Sequence, residues 1–159
     1  IWNMIKTIKD VLDSNSIYCE LTQPNDSFKE ILKIPLEHQS NSETNQTSLE
    51  IMFVDGMEEA TEGLSLLQFF IIINLEISSL ESTRLNLLKF ISKINHTLAV
   101  GSYYLYPDDK FIYFKYNMCV VKEEDSGMDL KLTRTIWLIK TQLNNYFKEF
   151  SSINQTNPG

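Results

Sequence analysis

The longest apolar run of the chain is Leu64–Ile77, and it constrains the fold more than any other segment. Four polar residues interrupt this run: Ser65, Gln68, Asn74 and Glu76. The run is too short for a membrane-spanning helix, which requires ~20 predominantly apolar residues. Its β-branched and aromatic side chains instead predict a long strand that is covered on both faces at its centre.

The residues after this strand change to helical spacing. Ser78 and Glu81 are three residues apart, as in a capping box, and predict a helix from about Leu80 to Leu98. The apolar residues of this helix predict a narrow seam: Leu85, Leu88, Ile91, Ile94 and Leu98. Gly101 follows and allows a tight entry into the next strand.

Two further segments have the periodicity of amphipathic helices. Ile1–Leu12 opens the chain with one apolar stripe, and Leu130–Phe150 is predicted to close the domain. The closing helix is expected to bury Leu132, Ile136, Ile139, Leu143, Phe147 and Phe150. We expect residues 151–159 to form a frayed tail.

Shorter segments with strand composition complete the pattern: Ile17–Leu21, Glu30–Leu36, Leu49–Val54, Tyr103–Tyr106 and Phe111–Val121. The last two form a predicted hairpin around Pro107-Asp108-Asp109-Lys110, where proline fixes φ and aspartate caps the turn. Pro35 cannot donate to a ladder, so it suits a sheet edge or a strand end. The polar residues 37–48 are expected to form a flexible loop.

The order of these elements predicts one α+β domain over residues 1–150. We expect three helices and an antiparallel sheet of about five strands. The predicted order is α-β-β-β-β-α-β-β-α or one strand fewer, with the helices mainly on one face of the sheet. A chain of 159 residues is long enough to bury a core in a single domain.

The charge balance restricts the class of partner. The chain has 21 acidic and 14 basic residues, a net charge of -7. Nucleic-acid binding requires basic residues that neutralise phosphates, so we expect no nucleic-acid partner. Without a membrane-spanning segment or a visible signal peptide, we expect a soluble, cytoplasmic protein with no membrane partner.

The two cysteines, Cys19 and Cys119, are too few and too far apart for a metal knuckle or a disulfide framework. Both lie in apolar, strand-like stretches, so buried free thiols are expected. The sequence leaves a single bridge between them open.

Residues that usually carry chemistry are sparse. His38 lies in the polar loop, and His96 lies near a helix end, where it is expected to be solvated. No nucleophile elbow or phosphate-binding loop is present. Two acidic clusters lack calcium-loop spacing: Asp55, Glu58, Glu59 and Glu62, and Glu123, Glu124, Asp125 and Asp129. We therefore predict a non-enzymatic protein without a metal or a cofactor.

Aromatic residues are concentrated in the predicted hairpin, so some must lie on each face of the sheet. An outward set would form a patch for a polypeptide partner or a second copy of the chain. The candidate contact residues are Tyr104, Tyr106, Tyr113 and Lys115. The alternative is that both faces of the hairpin are covered within the monomer or by dimerisation.

A small-molecule-binding domain is the alternative function. Its pocket would lie between the sheet and the helix over residues 80–98, with polar groups converging inside an apolar cavity. Three asparagines are the candidates for those groups: Asn74, Asn86 and Asn117.

One stretch of the chain resembles a known family. The segment Asn95–Leu105 (NHTLAVGSYYL), the turn Asp108-Asp109 and the strand Phe111–Tyr116 (FIYFKY) are similar to YbjN-type proteins, which share the fold of type III secretion chaperones. In that pattern a helix ends in a small apolar turn and a glycine, and a hairpin with an acidic turn follows. The order of elements from Ile1 to Phe150 is similar as well.

The resemblance implies a non-enzymatic protein that binds other polypeptides, often as a homodimer, in the bacterial cytoplasm. Secretion chaperones of this fold hold an extended effector segment against apolar grooves and sheet edges. YbjN-type relatives are linked to regulation. The family has no catalytic residue to carry over to this chain.

Overall fold

A computed structural model of the chain describes residues 4–22, 29–36, 47–54, 63–73, 75–106, 108, 110–121 and 127–155. The helices are α1 (Met4–Ser14), α2 (Glu81–Asn95) and α3 (Met128–Gln155). The strands are β1 (Glu20–Thr22), β2 (Ile31–Pro35), β3 (Ser48–Phe53), β4 (Leu64–Ile73), β5 (Ser102–Leu105) and β6 (Ile112–Val121). The α+β class and the predicted order of elements are confirmed, with six strands where about five were expected.

The strands form one antiparallel sheet in the order β1-β2-β3-β4-β6-β5. Strands β1 to β4 are a meander. The chain then passes through α2 to β5 at the far edge and returns through β6, which lies between β4 and β5. The aromatic hairpin therefore forms one end of the sheet, and the two edges are the short strands β1 and β5.

One row of side chains crosses five strands and forms the centre of the core. Its members pair in register and are each no more than 2% exposed: Ile34, Leu49, Ile71, Phe114 and Tyr103. Side chains alternate between the two faces of a strand, so this row fixes which face is internal. Burying each large apolar side chain contributes roughly 1.5–3 kcal/mol to folding.

All three helices contact this internal face. Ser65 Oγ of β4 lies 3.8 Å from Met4 Sδ of α1. The rings of Phe150 in α3 and Tyr103 in β5 are 5.3 Å apart. The ring of Phe90 in α2 lies 5.2 Å from that of Phe150, so α2 packs against both α3 and the β5 end of the sheet.

On the opposite face of the sheet, β4 is less covered than predicted. The strand ends at Ile73 rather than Ile77, and its alternate side chains are partly exposed instead of covered. Ile72 is 45% exposed. An apolar residue does not require two covered faces, because much of a folded protein's surface is apolar.

The start of α2 also differs from the prediction. The N-cap residue is Leu80, which makes no side-chain capping bond. The Ser78 hydroxyl accepts a hydrogen bond from the Leu80 N–H at 3.2 Å instead of capping the first turn. The capping-box prediction with Glu81 is therefore wrong, and the helix begins one residue after the predicted position.

The predicted seam of α2 is partly wrong. Ile91 and Ile94 are buried, but Leu85 and Leu88 are 50% and 45% exposed. The buried stripe continues instead through Thr83 and Leu87, residues that lie eight and four positions before Ile91. Both stripes fit helical spacing and share Ile91 and Ile94, so periodicity alone does not choose between them.

The closing helix begins two residues before its predicted start and ends five residues beyond its predicted end. Asn154 accepts a hydrogen bond from the Ser78 N–H at 2.8 Å and donates one to the Glu76 carbonyl at 2.6 Å. This side chain ties the last turn of α3 to the segment before α2. Residues 151–155, which were predicted as part of a frayed tail, are therefore helical.

Gln142 of α3 makes the matching connection after α2. Its carbonyl accepts from the N–H groups of Ala99 and Val100 at 2.8 and 3.2 Å, and its amide donates to the Val100 carbonyl at 3.0 Å. The buried amide satisfies backbone groups that have no ladder partner. Both connections of α2 are thus held against α3 by side-chain amides.

Most of the predicted polar loop, residues 37–46, lies outside the described residues. Its last two residues are ordered, because the Thr47 carbonyl accepts from the Leu36 N–H at 2.9 Å and Ser48 pairs with Pro35. Pro35 is the last residue of β2, as its missing donor predicted.

Both cysteines are free, but only Cys19 is buried; Cys119 is exposed on β6, contrary to the prediction. Cys19 immediately precedes β1, which is four strand spacings from β6 in the sheet. At ~4.8 Å each, the four spacings amount to roughly 19 Å. A disulfide requires Cα atoms within about 6.8 Å, so the fold excludes a bridge within one chain.

No helix among the described residues has the length and hydrophobicity required to cross a bilayer.

Candidate functional site

The face of the sheet opposite the helices is the candidate site, and we call it the open face. Successive side chains of a strand point to opposite faces of the sheet, so the residues next to a core residue along the strand lie on the open face. At the β4-β6-β5 end these are Leu66, Gln68, Phe70, Ile72, Tyr113, Lys115, Asn117, Cys119, Val121, Ser102 and Tyr104. The helix contacts described above all go to the other face.

Three of the predicted contact residues lie together. Tyr104 is 41% exposed and stacks on its cross-strand partner Tyr113, with ring centroids 5.1 Å apart. Tyr106 follows β5, stacks on Phe111 at 4.5 Å and meets Tyr113 edge-on at 6.3 Å. Such pairs are worth about 0.5–1.5 kcal/mol beyond their buried area. The aromatic cluster is therefore an ordered surface.

Lys115, the fourth predicted residue, lies one row away. It is exposed and pairs with Ser102 on one side and Phe70 on the other. The row continues in register across all six strands: Ser102, Lys115, Phe70, Glu50, Lys33 and Glu20. Opposite charges face each other along its second half, and such cross-strand pairs contribute roughly 0.2–1 kcal/mol each.

Sequence reasoning missed the contribution of β4 to this surface. Ile72 lies opposite Tyr113, and the ring of Phe70 contacts that of Tyr113 in a tilted arrangement with centroids 5.5 Å apart. A strand that is apolar on both faces has no alternation of apolar and polar residues, so its sequence does not indicate which face is exposed. The signal lies in its neighbour β6, where Lys115 and Asn117 mark the exposed face at alternate positions.

The edge of β5 is closed by a side chain. Asn95, in the last turn of α2, donates to the Tyr103 carbonyl and accepts from the Tyr103 N–H, both at 2.9 Å. The amide thus makes the two bonds that a neighbouring strand would make. A partner strand cannot pair with Tyr103 while Asn95 is in place.

A groove lies beside the aromatic cluster on the open face, with a volume of about 510 Å³. Its lining residues are Lys33, Thr47, Ser48, Glu50, Ile72, Ile73, Leu75, Glu76, Lys110 and Phe111. Lys33 Nζ is 3.7 Å from Glu50 Oε1, and Lys110 Nζ is 3.6 Å from Asp108 Oδ2. The Lys110 N–H also donates to Asp108 Oδ1 at 3.1 Å, which is the predicted local aspartate cap.

Cys19 and Lys9 are among the ionisable groups whose pKa values are shifted. Burial raises the pKa of the Cys19 thiol, which keeps it protonated and unreactive at neutral pH. Its sulfur lies 3.9 Å from Asp13 Oδ1, while Asp13 Oδ2 accepts a bond from Lys9 at 2.7 Å and so raises the pKa of that lysine. His96 is exposed at the C-cap of α2.

Within the described residues, no group of three or more histidine, cysteine, aspartate or glutamate side chains could hold a metal ion. Most residues of the two acidic clusters lie outside those residues: Asp55, Glu58, Glu59, Glu62, Glu123, Glu124 and Asp125. His38 lies outside them too.

The polar groups of the predicted sheet–helix pocket do not converge. Asn86 is exposed on α2, Asn117 is exposed on the open face, and Asn74 is outside the described residues. Asn86 and Asn117 therefore lie on opposite sides of the sheet. The groove described above lies on the open face instead.

No protein-family model matches this chain, and no curated protein matches it. What the protein does has to be inferred from the geometry of its own residues.

Proposed function

We propose that this protein is a non-enzymatic, polypeptide-binding module, chaperone-like or regulatory, that holds its partner on the open face of the sheet. The exposure of large apolar side chains at the β4-β6-β5 end carries the proposal. Tyr104 and Ile72 are each more than 40% exposed on this face, and each lies directly opposite Tyr113 in the sheet. A contiguous apolar patch with polar neighbours is typical of a protein-binding surface.

The aromatic cluster supports the same proposal. Tyrosine is enriched among residues that dominate binding energy, because it offers a large rigid surface with a polar end. Tyr104 and Tyr113 are already stacked, so little side-chain entropy is lost when a partner covers them. Lys115 and Asn117 supply polar groups beside the rings.

Contact through side chains is favoured over strand addition at β5. The bonds from Asn95 occupy both edge groups of Tyr103. The other edge strand, β1, has three residues and offers a short ladder. An extended partner would therefore lie across the open face, with its own apolar side chains against the rings.

The resemblance to YbjN-type proteins extends the proposal. The confirmed order of elements supports a type III secretion chaperone-like fold of this type. On that basis we place the protein in the bacterial cytoplasm, as a homodimer that also binds a polypeptide partner.

Affinity capture from the native cell lysate, read by mass spectrometry, tests the proposal. The face variant is Tyr104→Ala with Tyr113→Ala, and the matched control is Leu85→Ala with Leu88→Ala on α2, two apolar side chains of similar exposure. We expect one stoichiometric partner that is lost by the face variant and retained by the control. Urea unfolding of both variants checks that each remains folded.

A second readout uses Cys119, which is exposed on the open face while Cys19 is buried. The purified partner is expected to slow alkylation of Cys119 at least tenfold. If only self-association is found, or if the α2 control rather than the face variant loses the partner, the open face is not the binding surface for another polypeptide.

A further inference from the structure

The groove beside the aromatic cluster contains charges of both signs. Lys33 and Lys110 line it together with Glu50 and Glu76. Lys33 Nζ lies 3.7 Å from Glu50 Oε1 and Lys110 Nζ lies 3.6 Å from Asp108 Oδ2, beyond the 2.7–2.9 Å of a charge-assisted hydrogen bond. Both ammonium groups can therefore donate to a ligand without breaking a direct hydrogen bond to Glu50 or Asp108.

Apolar side chains form the rest of the wall. Ile72 presents a large exposed surface, and Phe111 and Leu75 line the groove beside it. A volume of about 510 Å³ lies within the range of small-ligand sites, roughly 300–1,000 Å³. The groove thus offers two cations, two anions and an apolar wall to one small occupant.

We propose that this groove binds a zwitterion that has a branched or aromatic side chain, either a free α-amino acid or a dipeptide. Its carboxylate would accept from Lys33 and Lys110, and its ammonium group would donate to Glu76 and Glu50. Its side chain would pack on Ile72. A purely anionic ligand, such as a phosphate, would meet two carboxylates, and a purely cationic one would meet two ammonium groups.

This site is distinct from the polypeptide surface of the proposed function, although Ile72 and Phe111 belong to both. The ion-pair row with Lys33 and Glu50 lies on β2 and β3, whereas the tyrosine cluster lies on β5 and β6. A ligand bound in the groove would add contact surface beside the tyrosine cluster. Its binding would therefore change the affinity of the open face for the polypeptide partner.

Isothermal titration calorimetry of the full chain tests the proposal with four probes. These are L-phenylalanine, its N-acetyl derivative, its methyl ester and the dipeptide Leu-Phe. We expect binding of the first or the last, and at least tenfold weaker binding of both charge-blocked forms. Tighter binding of phenylalanine identifies a free amino acid as the ligand, and tighter binding of Leu-Phe identifies a peptide.

Variants locate the site. Glu76→Gln and Lys110→Met each remove one charge from the groove and are expected to weaken binding at least tenfold. Lys115→Met removes a charge from the same face outside the groove and is expected to leave binding unchanged. The backbone carbonyl of Glu76, rather than its side chain, bonds to Asn154, so the amide variant keeps that contact.

Three outcomes would each overturn the proposal. The first is that no probe binds at millimolar concentration, and the second is that the charge-blocked forms bind as tightly as the zwitterions. The third is that Lys115→Met weakens binding as much as the groove variants do. The double variant at Tyr104 and Tyr113 separates the two sites, because it should lose the polypeptide partner and still bind the zwitterion. Failure of the zwitterion experiment leaves the lysate capture result unaffected.

Discussion

The side-chain amide of Asn95 forms both hydrogen bonds that an additional strand would make with Tyr103, one to the N–H and one to the carbonyl, each at 2.9 Å. Asn95 is the last residue of α2, and Tyr103 is in the edge strand β5. The contact therefore connects the helix to the sheet and masks the sheet edge. Natural sheets protect their edges against unwanted pairing, and here one amide protects the centre of β5.

Asn95→Asp tests this contact. The substitution removes the donor to the Tyr103 carbonyl and places an acceptor beside it. We expect the free energy of unfolding at pH 7 to fall by about 1–3 kcal/mol, the cost of an unsatisfied buried group. The loss should shrink as the pH falls toward 4, because a protonated carboxyl can donate again. Urea unfolding at the two pH values measures both effects.

Asn86→Asp is the matched control for this prediction, since it makes the same change at an exposed position of the same helix. It is expected to change stability by less than about 0.5 kcal/mol. Equal losses in the two variants would mean that the Asn95 amide does not hold the edge.

Gly101 is expected to be the least replaceable glycine of the described residues. Its φ is +69°, and a Cβ there would lie 2.3 Å from the ring of Phe114, which is 1% exposed. We expect Gly101→Ala to reduce the free energy of unfolding by about 2–4 kcal/mol, from left-handed strain and overpacking together. Gly63→Ala separates the two causes, because Gly63 has a φ of +77° and open space around it. Thermal unfolding that placed both variants at the same Tm would contradict the overpacking argument.

The sequence predicted the elements whose local signals agree with their packing. The closing helix carries a buried stripe at helical spacing from Leu132 to Phe150, and β6 alternates clearly between core and solvent. The bounds of β6 were therefore predicted to within one residue, and the start of the closing helix to within two. Gly101 was also predicted from sequence, because a tight turn between a helix and a strand favours a residue that tolerates positive φ.

Other features depend on contacts between distant segments and have no local signal. Asn154 lengthens α3 by bonding to residues 76 and 78, about half the chain away. Leu85 and Leu88 are exposed because α3 covers the other side of α2, which periodicity could not reveal. The groove joins β2, β3 and the segment after β4, so its charges converge only through the register of the sheet. The tyrosine candidates were accessible from sequence because they lie within one hairpin.

Thr47 offers a test of local packing beside the groove. It is 4% exposed, and its buried hydroxyl has no hydrogen-bond partner among the residues that the structure describes. We expect Thr47→Val to raise the free energy of unfolding by about 1 kcal/mol, since valine removes the unsatisfied group and favours a strand. Thr135→Val is the control, because the Thr135 hydroxyl contacts Met118 Sδ at 3.8 Å. A gain of equal size in the control would show that the missing partner of Thr47 is not the cause.

Tyr103 is expected to make the fold sensitive to alkaline pH. Burial, and to a smaller extent Tyr146, raises the pKa of the Tyr103 hydroxyl well above its usual value. The unfolded chain releases this proton near pH 10, while the folded chain retains it. The contribution of Tyr103 to stability is therefore complete below about pH 10 and is lost as the pH rises further, by up to about 1.4 kcal/mol per pH unit.

Urea unfolding of the wild type and of Tyr103→Phe between pH 8 and 11 measures this loss. We expect the variant to have a shallower decline above about pH 10, because phenylalanine has no proton to release. Tyr104→Phe makes the same change at an exposed position of the same strand and should decline as steeply as the wild type. If Tyr103→Phe also followed the wild-type curve, the hydroxyl of Tyr103 would have to ionise within the fold, and the ring could not be as enclosed between Phe114 and Phe150 as it is here.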